Sequence, residues 1–425
     1  MHDNSPHDKE DFAGYRWSYF SSLSDGPLRS RTQRFLESIN WASLIQYASA
    51  KRNGLECRLL PDIGLGYNHL VRVVEFADHT RWVARLRMPS LTRNSDEAPK
   101  PWYIMESEYR MICVVQRESK IPVPRVHIFE ADHDSSVGAP FMLMDCLRGN
   151  AGIDLSMNLP SEHKLAVYSR MAETQVCTVA ALTRISIMLI FWLTYIDLFN
   201  IRLPKIGKVV GINEDGTYQQ GPLPILGGPF DTAAEFFRAW ASKAEFGLSK
   251  DRLRDAAGPY ADEIFSSQLD FKEWVKDNAD QLSFNNTGPF PLCHGDFGHN
   301  NIVFDDRYRV LGVIDWETAF AAPHEVAGEF PLSISVIPPA MDVPWNYDEA
   351  GCPKDPEVQQ RFADRASYVA IVRQKEEEQG LTEGYTLSAS LEDSQRQYLT
   401  LAMRLYQGGK AGWYSKLAEG FTKDR

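Results

Sequence analysis

The residues best suited to chemistry lie in one stretch, PLCHGDFGHNNIVFDDRYRVLGVIDWETAF, which begins at Pro291. The triplet His-Gly-Asp at residues 294–296 is followed by Asn301, five positions after the aspartate. Two runs of β-forming residues then form a predicted hairpin, and the second run leads into Asp315. The sequence therefore predicts a loop, a short hairpin and a second acid that act together.

This order and spacing are those of a kinase-type catalytic loop, and phosphoryl transfer would use each residue type. Asp296 would accept the proton of a substrate hydroxyl or orient that hydroxyl. Asn301 and Asp315 offer the hard oxygen ligands that Mg²⁺ prefers. His294 would orient the loop by hydrogen bonding. Taken singly, His-Gly-Asp is a common triplet and an aspartate at a strand end can be a turn residue, so the interpretation depends on the combination.

A glycine-containing segment precedes the first β-rich run, with Gly64, Gly66 and Asn68 as its characteristic residues. Glycine lacks a Cβ and so lets the backbone approach a phosphate closely. A dinucleotide-binding fingerprint would have a third glycine where His69 stands, and a helix rather than a hairpin would follow. A phosphate loop and a plain turn are both compatible with this motif alone.

The second β-rich run, Val83-Ala84-Arg85-Leu86, carries a cation where a kinase-type fold places one on the α- and β-phosphates. Its predicted acid partner is Glu108 on the following helix, with Glu106 as the reserve. The alternative is a surface arginine and a solvated helical glutamate.

The pattern of the chain indicates the elements that must position these residues. Apolar spacing predicts one amphipathic helix within residues 32–50, then an antiparallel hairpin over residues 70–86. A helix over residues 103–117 and a buried strand over residues 140–147 follow, and most of the remaining chain is predicted to be helical. The predicted organisation is an N-terminal arm and helical cap (1–50), a nucleotide-binding lobe (51–145) and a helical lobe (146–425), with the catalytic loop at 293–301.

Composition narrows the class of function. The 45 Lys and Arg residues against 57 Asp and Glu residues give a net charge of −12, which argues against a dedicated nucleic-acid binder. The six cysteines are widely spaced, so neither a zinc site nor a disulfide framework is expected. The acidic N-terminus lacks the pattern of a signal peptide, and a cytoplasmic location is the expectation.

Several motifs together resemble the aminoglycoside phosphotransferase family, also called choline kinase-like small-molecule kinases, and in particular its fungal branch. The resemblance runs from about Trp41 into the 330s. Its motifs are the glycine segment, WVARL from Trp82, SEYRM from Ser107, IPVPRV from Ile121, FMLMDCLRG from Phe141, GPF from Gly228, and HGDFGHNN with VIDWE.

The resemblance implies an α+β, protein kinase-like bilobal fold, with a small β-rich N-lobe and a larger, mainly helical C-lobe. It implies ATP and Mg²⁺ as cofactors, with adenine held by backbone groups of the segment from Met144 to Cys146. Arg85 departs from the lysine of the best-known members, and a planar guanidinium would contact the phosphates differently. The expected partner is a small molecule with a hydroxyl group, which the sequence does not identify.

Two alternatives stay open at this point. One is a nucleotide-binding pseudokinase or scaffold without turnover, which Arg85 and the apolar run at residues 185–196 favour. The other is a membrane-associated protein that uses the apolar run ISIMLIFWLTYI, residues 185–196. A spanning helix needs about 20 apolar residues, so a buried helix is the simpler interpretation of this run.

A further hypothesis concerns the insertion at residues 176–196, which relatives of this kind lack. Val176-Cys177 can be encoded by GTATGT, a common fungal splice donor, and Leu-Thr pairs can encode a branch point. The segment would then be translated intron rather than selected protein. Sequencing the mature transcript tests this hypothesis.

Overall fold

The computed structural model of the protein describes residues 19–89, 100–132, 134–152, 159–176, 198–381 and 384–423. A five-stranded sheet and numerous helices within these ranges confirm the predicted α+β class. The chain divides into two compact units. The first comprises Met1–Gln116, Ile121–Val167 and Gly298–Thr318, and the second comprises Arg117–Lys120, Tyr168–Phe297 and Ala319–Arg425.

The described helices are α1 Pro27–Ser38, α2 Trp41–Lys51, α3 Pro101–Glu118, α4 Ser161–Val176, α5 Ala233–Lys243, α6 Lys250–Ala257, α7 Ala261–Leu282, α8 His324–Ala327, α9 Pro356–Glu378, α10 Leu387–Glu392, α11 Ser394–Gln407 and α12 Ser415–Lys423. The described strands are β1 Cys57–Leu65, β2 His69–Phe76, β3 Arg81–Arg87, β4 Val126–Glu130, β5 Phe141–Asp145, β6 Asn150–Ala151, β7 Arg202–Leu203, β8 Lys208–Ile212, β9 Tyr218–Gly221, β10 Phe290–Cys293, β11 Ile302–Phe304, β12 Val310–Val313 and β13 Phe320–Ala321.

The first unit is built on an antiparallel sheet with the strand order β1-β2-β3-β5-β4. Successive side chains of a strand point to opposite faces, so β2 and β3 each contribute to two surfaces. One face carries Leu70, Trp82 and Leu86, which form a core with apolar residues of α1 and α2. The other face carries Arg85 and Arg87, and this face holds the candidate site.

The predicted catalytic hairpin is present as β11 and β12, which pair from Ile302↔Val313 to Phe304↔Val310. Strand β6 extends this hairpin to three strands, with Val303 opposite Ala151. Residues 298–318 therefore belong to the first compact unit although they lie far along the chain.

The second unit contains most of the helices and two small sheets, β13-β10-β7 and β8-β9. Helices α5 and α7 pack against each other through Trp240 and Phe271, whose ring centroids are 6.0 Å apart. Tyr406 of α11 closes this aromatic core, 5.4 Å from Trp240. Strand β10 leads directly into the segment that contains His294 and Asp296.

The structure differs from two local expectations. The single helix expected within residues 32–50 is two helices, because Ile39 is extended and the Asn40 side chain accepts a hydrogen bond from the Ser43 amide as the cap of α2. The β8-β9 hairpin was not predicted, since it lies among residues expected to be helical.

Among the described helices, none combines the length and apolar character needed to cross a membrane. Val176 ends α4 in the described structure, whereas residues 177–196 of the insertion lie outside the described residues. The intron hypothesis therefore stays a prediction. The predicted domain boundaries also stay predictions.

Candidate active site

The segment after β10 belongs to the second unit and carries the predicted catalytic acid. His294 is buried and its ring lies 6.1 Å from that of Phe297. Gly295 has a φ of 78°, a left-handed conformation that favours glycine, which explains why a glycine separates His294 from Asp296. Asp296 is half-buried. Its predicted convergence with Asn301 and Asp315, which belong to the first unit, stays a prediction.

The two predicted metal ligands adjoin each other in the first unit. Asn301 ends a 3₁₀ turn, and its carbonyl oxygen accepts a hydrogen bond from the Ile314 amide at 2.9 Å. Asp315 follows immediately and has a φ of 65°, which is uncommon for a residue other than glycine. Sparsely populated backbone conformations of this kind occur preferentially at functional sites.

Arg85 connects this loop to the five-stranded sheet and to helix α3. One guanidinium nitrogen donates to Glu108, and the other donates to Asp315 Oδ1 at 2.5 Å. The predicted Arg85–Glu108 pair is therefore present in the structure, and Arg85 does not point to solvent. Glu106 pairs instead with Arg110, on its own helix.

Glu108 lies on the buried stripe of α3, together with Met105, Ile112 and Val115. Its carboxyl group is 0 % exposed, and Oε2 has no hydrogen-bond partner in the part of the chain that the structure describes. Burial raises the pKa of Glu108 to about 7, although the Arg85 guanidinium acts in the opposite direction. Burial of a carboxylate in an apolar stripe costs free energy unless a cation pairs with it. Arg85 of strand β3 is that cation.

A second ion pair lies beside the first and was missed by the sequence reasoning. Arg87, two residues after Arg85, donates to Glu317, two residues after Asp315. Glu317 also accepts a hydrogen bond from the Asn68 side chain at 3.0 Å. Asn68 of the glycine segment is thereby tied to the loop that carries Asp315. Arg87 shares a face of β3 with Arg85, since alternate strand residues point the same way, but Glu317 lies in the 3₁₀ turn Trp316–Thr318 and no sequence pattern indicated its partner.

His69 lies between the two arginines. Its Nδ1 is 3.0 Å from Arg85 and its Nε2 is 3.3 Å from Arg87. Burial, and then the charges of both arginines, lower the pKa of His69 well below its ordinary value. The imidazole is therefore neutral and separates the two guanidinium groups.

Within the described residues, potential ligand atoms of His69, Glu108 and Glu317 lie within 4.8 Å of one another, which is close enough for a metal ion. The carboxylates already bind Arg85 and Arg87, however, so this cluster is an ion-pair network. A divalent cation there would face two guanidinium charges. Asn301 and Asp315 stay the predicted Mg²⁺ ligands, although Asp315 Oδ1 also accepts a hydrogen bond from Arg85.

The glycine segment forms the turn between β1 and β2. Gly64 pairs with Val71 near the end of β1, and the Gly66 amide donates to the His69 carbonyl oxygen at 2.9 Å. The buried Arg31 side chain of α1 donates to the Tyr67 carbonyl oxygen at 3.0 Å. Helix α1 thus fixes the backbone of the turn, a contact that the sequence did not indicate.

The fold itself does not require glycine at position 66. An added Cβ would meet only the His69 carbonyl oxygen, at an ordinary contact distance of 3.7 Å. We therefore expect Gly66→Ala to keep the wild-type stability, measured by urea unfolding, and to raise the KM for ATP by about tenfold if a phosphate packs against this backbone.

Gly408→Ala is the matched control for that substitution, because its Cβ would also meet only backbone carbonyl oxygens, the nearer at 3.5 Å. This control should leave both stability and KM unchanged. An unchanged KM for ATP in Gly66→Ala would show that the segment is a plain turn.

The predicted adenine-binding segment follows β5. Met144 is buried and lies opposite Val83 in the β3–β5 ladder. The Cys146 amide donates to the Arg81 carbonyl oxygen at 3.3 Å. Because this amide already donates a hydrogen bond, an adenine contact at Cys146 would use the carbonyl oxygen. The adenine-binding role of Met144 and Cys146 stays a prediction.

Comparison with known proteins gives the family. Residues 63–324 match the family model described as "Phosphotransferase enzyme family". The chain is 24 % identical over 327 residues to Clavilactone A biosynthesis cluster protein Y of Ampulloclitocybe clavipes, which covers 75 % of this chain and 70 % of the relative.

Solved structures give weaker similarities. A Ralstonia eutropha protein assigned as a candidate aminoglycoside phosphotransferase is 14 % identical, covers 90 % of this chain and 94 % of its own, and has a TM-score of 0.46. The ethanolamine kinase of Plasmodium vivax is 11 % identical, covers 95 % and 90 %, and has a TM-score of 0.41. The family model spans more than half of the chain and includes the glycine segment, Arg85 and Asp315. The chain therefore belongs to the phosphotransferase enzyme family, as a small-molecule kinase.

Proposed function

We propose that this enzyme transfers the γ-phosphoryl group of ATP to a hydroxyl group of a small molecule. The observation that carries the proposal is the joining of Arg85, Glu108 and Asp315, since three separate segments of the chain bring a cation and two acids together. In a kinase-type site these groups hold the phosphates and the metal.

ATP and Mg²⁺ are the proposed phosphate donor and cofactor, and the residues fit both. The Asn301 amide and the Asp315 carboxylate are hard oxygen ligands of the kind that Mg²⁺ prefers. The Asp315 side chain is 36 % exposed, so a cation can reach it. Bound Mg²⁺ would neutralise negative charge on the phosphates. The Arg85 guanidinium, oriented by Glu108, would donate to phosphate oxygens as a planar fork.

The proposed step balances without a further reactant. The substrate hydroxyl oxygen forms a bond to the γ-phosphorus, and the bond from that phosphorus to the bridging oxygen of ADP breaks. Asp296 takes the hydroxyl proton. His294 keeps the loop that contains Asp296 in place, and the residue pair Arg87 and Glu317 keeps Asn68 beside the metal loop. Adenine would lie against backbone groups near Met144 and Cys146.

The pseudokinase alternative depended on Arg85 replacing a lysine and on the apolar run at residues 185–196, which lies outside the described residues. Arg85 makes the ion pair with Glu108 that a lysine would make at this position, and it also reaches Asp315. These contacts favour an active enzyme. The similarity to a protein of a fungal biosynthesis cluster supports testing hydroxyl-bearing biosynthetic intermediates as acceptors.

We expect ATP with Mg²⁺ to stabilise the full chain against thermal unfolding, by about 2.7 kcal/mol when the ligand is at about 100 times its dissociation constant. The measurement is a thermal-shift titration with ATP in Mg²⁺, repeated in EDTA and with GTP. A shift that does not depend on Mg²⁺ would contradict the proposed metal site.

Turnover is then tested with ATP labelled at the γ-phosphorus and a panel of small alcohols, sugars, amino alcohols and phenols. Formation of a labelled, phosphatase-sensitive product identifies the acceptor. ATP binding without transfer to any acceptor of a broad panel would favour the pseudokinase.

A further inference from the structure

The second unit contains a cavity of about 290 Å³ that the proposed phosphoryl transfer does not use. It lies among β7, the start of α8 and the segment before α10. Its lining includes Phe199, Arg202, Phe284, His324, Glu376 and Tyr385. One water-sized group needs about 10 to 15 Å³ of such volume, so the cavity has room for a small organic ligand.

Arg202 brings a positive charge to the wall of this cavity. It lies on β7, where it is opposite Pro291 of β10, and its guanidinium is 4.8 Å from the centroid of the Phe199 ring. Burial lowers its pKa to about 10, and no acidic group among the described residues offsets that effect. In the described structure its one hydrogen-bond partner is His324 Nε2, at 2.7 Å. A half-buried guanidinium without a carboxylate is uncommon, because burial of an unpaired charge is costly.

His324 holds this guanidinium in place. An arginine can only donate hydrogen bonds, so Nε2 of His324 must accept and the ring proton must be on Nδ1. The imidazole is neutral, because burial and the neighbouring Arg202 lower its pKa to about 3. Nδ1 is fully buried and does not face the cavity. Among the described residues, the N–H groups of Arg202 that His324 does not bind therefore lack an acceptor.

Among the described residues that line the cavity, Glu376 is the one acid, and it does not supply that acceptor. Glu376 accepts hydrogen bonds from the backbone amides of Leu387 and Ser388 and from the Ser388 hydroxyl. Its oxygens are thus committed to the first turn of α10, where a carboxylate is favourable.

The remaining walls are aromatic. The rings of Phe284 and Tyr385 are stacked, with centroids 3.4 Å apart and planes inclined by 24°. Phe284 is 38 % exposed, although large apolar side chains are usually covered. An aromatic ligand would cover this ring while its polar end reaches the donors.

We infer that this cavity is a binding site for a small aromatic anion, whose negative group pairs with Arg202 and whose ring lies against Phe284 and Tyr385. This inference goes beyond the proposed phosphoryl transfer and does not depend on it, because none of these residues has a proposed part in that reaction.

The test measures binding to the full chain by isothermal titration calorimetry, without ATP or Mg²⁺. The probes are benzoate and phenyl phosphate as anions, benzamide as a neutral analogue, benzylamine as a cation and acetate as an anion without a ring. We expect one of the two aromatic anions to bind about tenfold or more tightly than benzamide and acetate, since hydrogen bonds to charged groups are the stronger class. The stronger of the two identifies a carboxylate or a phosphate as the negative group.

Arg202→Gln should weaken that binding about tenfold or more, while Arg202→Lys should retain part of it. Arg238→Gln is the matched control, because it removes the same charge from an exposed pair on α5 and should leave binding unchanged. The inference is overturned if neither aromatic anion binds, if benzamide binds equally well, or if Arg202→Lys abolishes the binding as fully as Arg202→Gln. The comparison of the probes on the unmodified chain keeps the test valid if a variant does not fold.

Discussion

Replacing Asp315 by Asn should lower kcat by a few hundredfold, because the loss of an electrostatic contact in the transition state typically costs about 3 to 4 kcal/mol. The substitution removes the charge of a proposed Mg²⁺ ligand and preserves its size. Asp296→Asn should cause a loss of similar size by removing the proton acceptor. Both are measured as steady-state turnover with saturating ATP and the acceptor identified by the panel.

The Mg²⁺ requirement separates the two roles. Asp315→Asn should raise the Mg²⁺ concentration needed for half-maximal activity, whereas Asp296→Asn should leave it unchanged. Asp306→Asn is the matched control, since Asp306 is exposed in the turn of the same hairpin and should keep full activity. Near-complete turnover in Asp315→Asn or Asp296→Asn, with the fold verified by circular dichroism, would show that the assigned roles are wrong.

Arg85→Met should destabilise the protein by about 3 to 5 kcal/mol at about pH 8, because it removes the cation from a buried pair. Glu108 would then be a fully buried carboxylate without a charged partner. The free energy of unfolding is measured by urea titration. Arg58→Met is the control, because Arg58 is 76 % exposed in its pair with Glu75, and surface pairs contribute about 0 to 1 kcal/mol.

The stability lost in Arg85→Met should be smaller at acidic pH than at about pH 8. Burial already raises the folded-state pKa of Glu108 to about 7, above its ordinary value of 4.5, and removal of Arg85 would raise it further. Stability from such a group is present below the unfolded pKa and is lost as pH rises through the folded pKa. The deficit of Arg85→Met should therefore shrink when the titration is repeated at about pH 5.5.

A second variant isolates the cause. Adding Glu108→Gln to Arg85→Met should restore part of the stability at about pH 8, because the uncompensated charge is then gone. A deficit that is the same at both pH values, and that Glu108→Gln does not reduce, would mean that the Arg85 side chain stabilises the fold by packing alone.

Predictions from the sequence were most accurate where residues of a catalytic type also lie in a clear secondary-structure pattern. The hairpin after Asn301 was predicted because β-forming residues flank a turn, and the structure forms it with the same first strand, Ile302–Phe304. The pair of Arg85 and Glu108 was predicted from the positions at which a kinase-type fold places a cation and its acid partner, and the two side chains are in contact.

The contacts that were not predicted join distant segments. Arg87 and Glu317 are 230 residues apart, and neither has a neighbour in sequence that indicates the other. The regular apolar spacing within residues 32–50 gave no sign that the helix is interrupted. The interruption arises because the Asn40 side chain caps α2 by a hydrogen bond that a continuous helix would not allow. Arg202 lies in a strand of only two residues, which is too short for any periodic pattern.

The first unit is assembled from segments that are far apart in the chain, and this affects how the protein folds during synthesis. Arg85 and Glu108 are translated early, but Asp315 joins them only after 230 further residues beyond Arg85. A chain that stops at Phe297 would contain the glycine segment and Arg85 and would lack Asn301 and Asp315. The β-rich sheet can form during synthesis, whereas the ion-pair network forms only when residues 298–318 have left the ribosome. Contacts between segments so far apart in sequence slow folding. An N-terminal fragment is thus not a smaller version of the first unit, and expression of that unit requires the chain at least to Thr318.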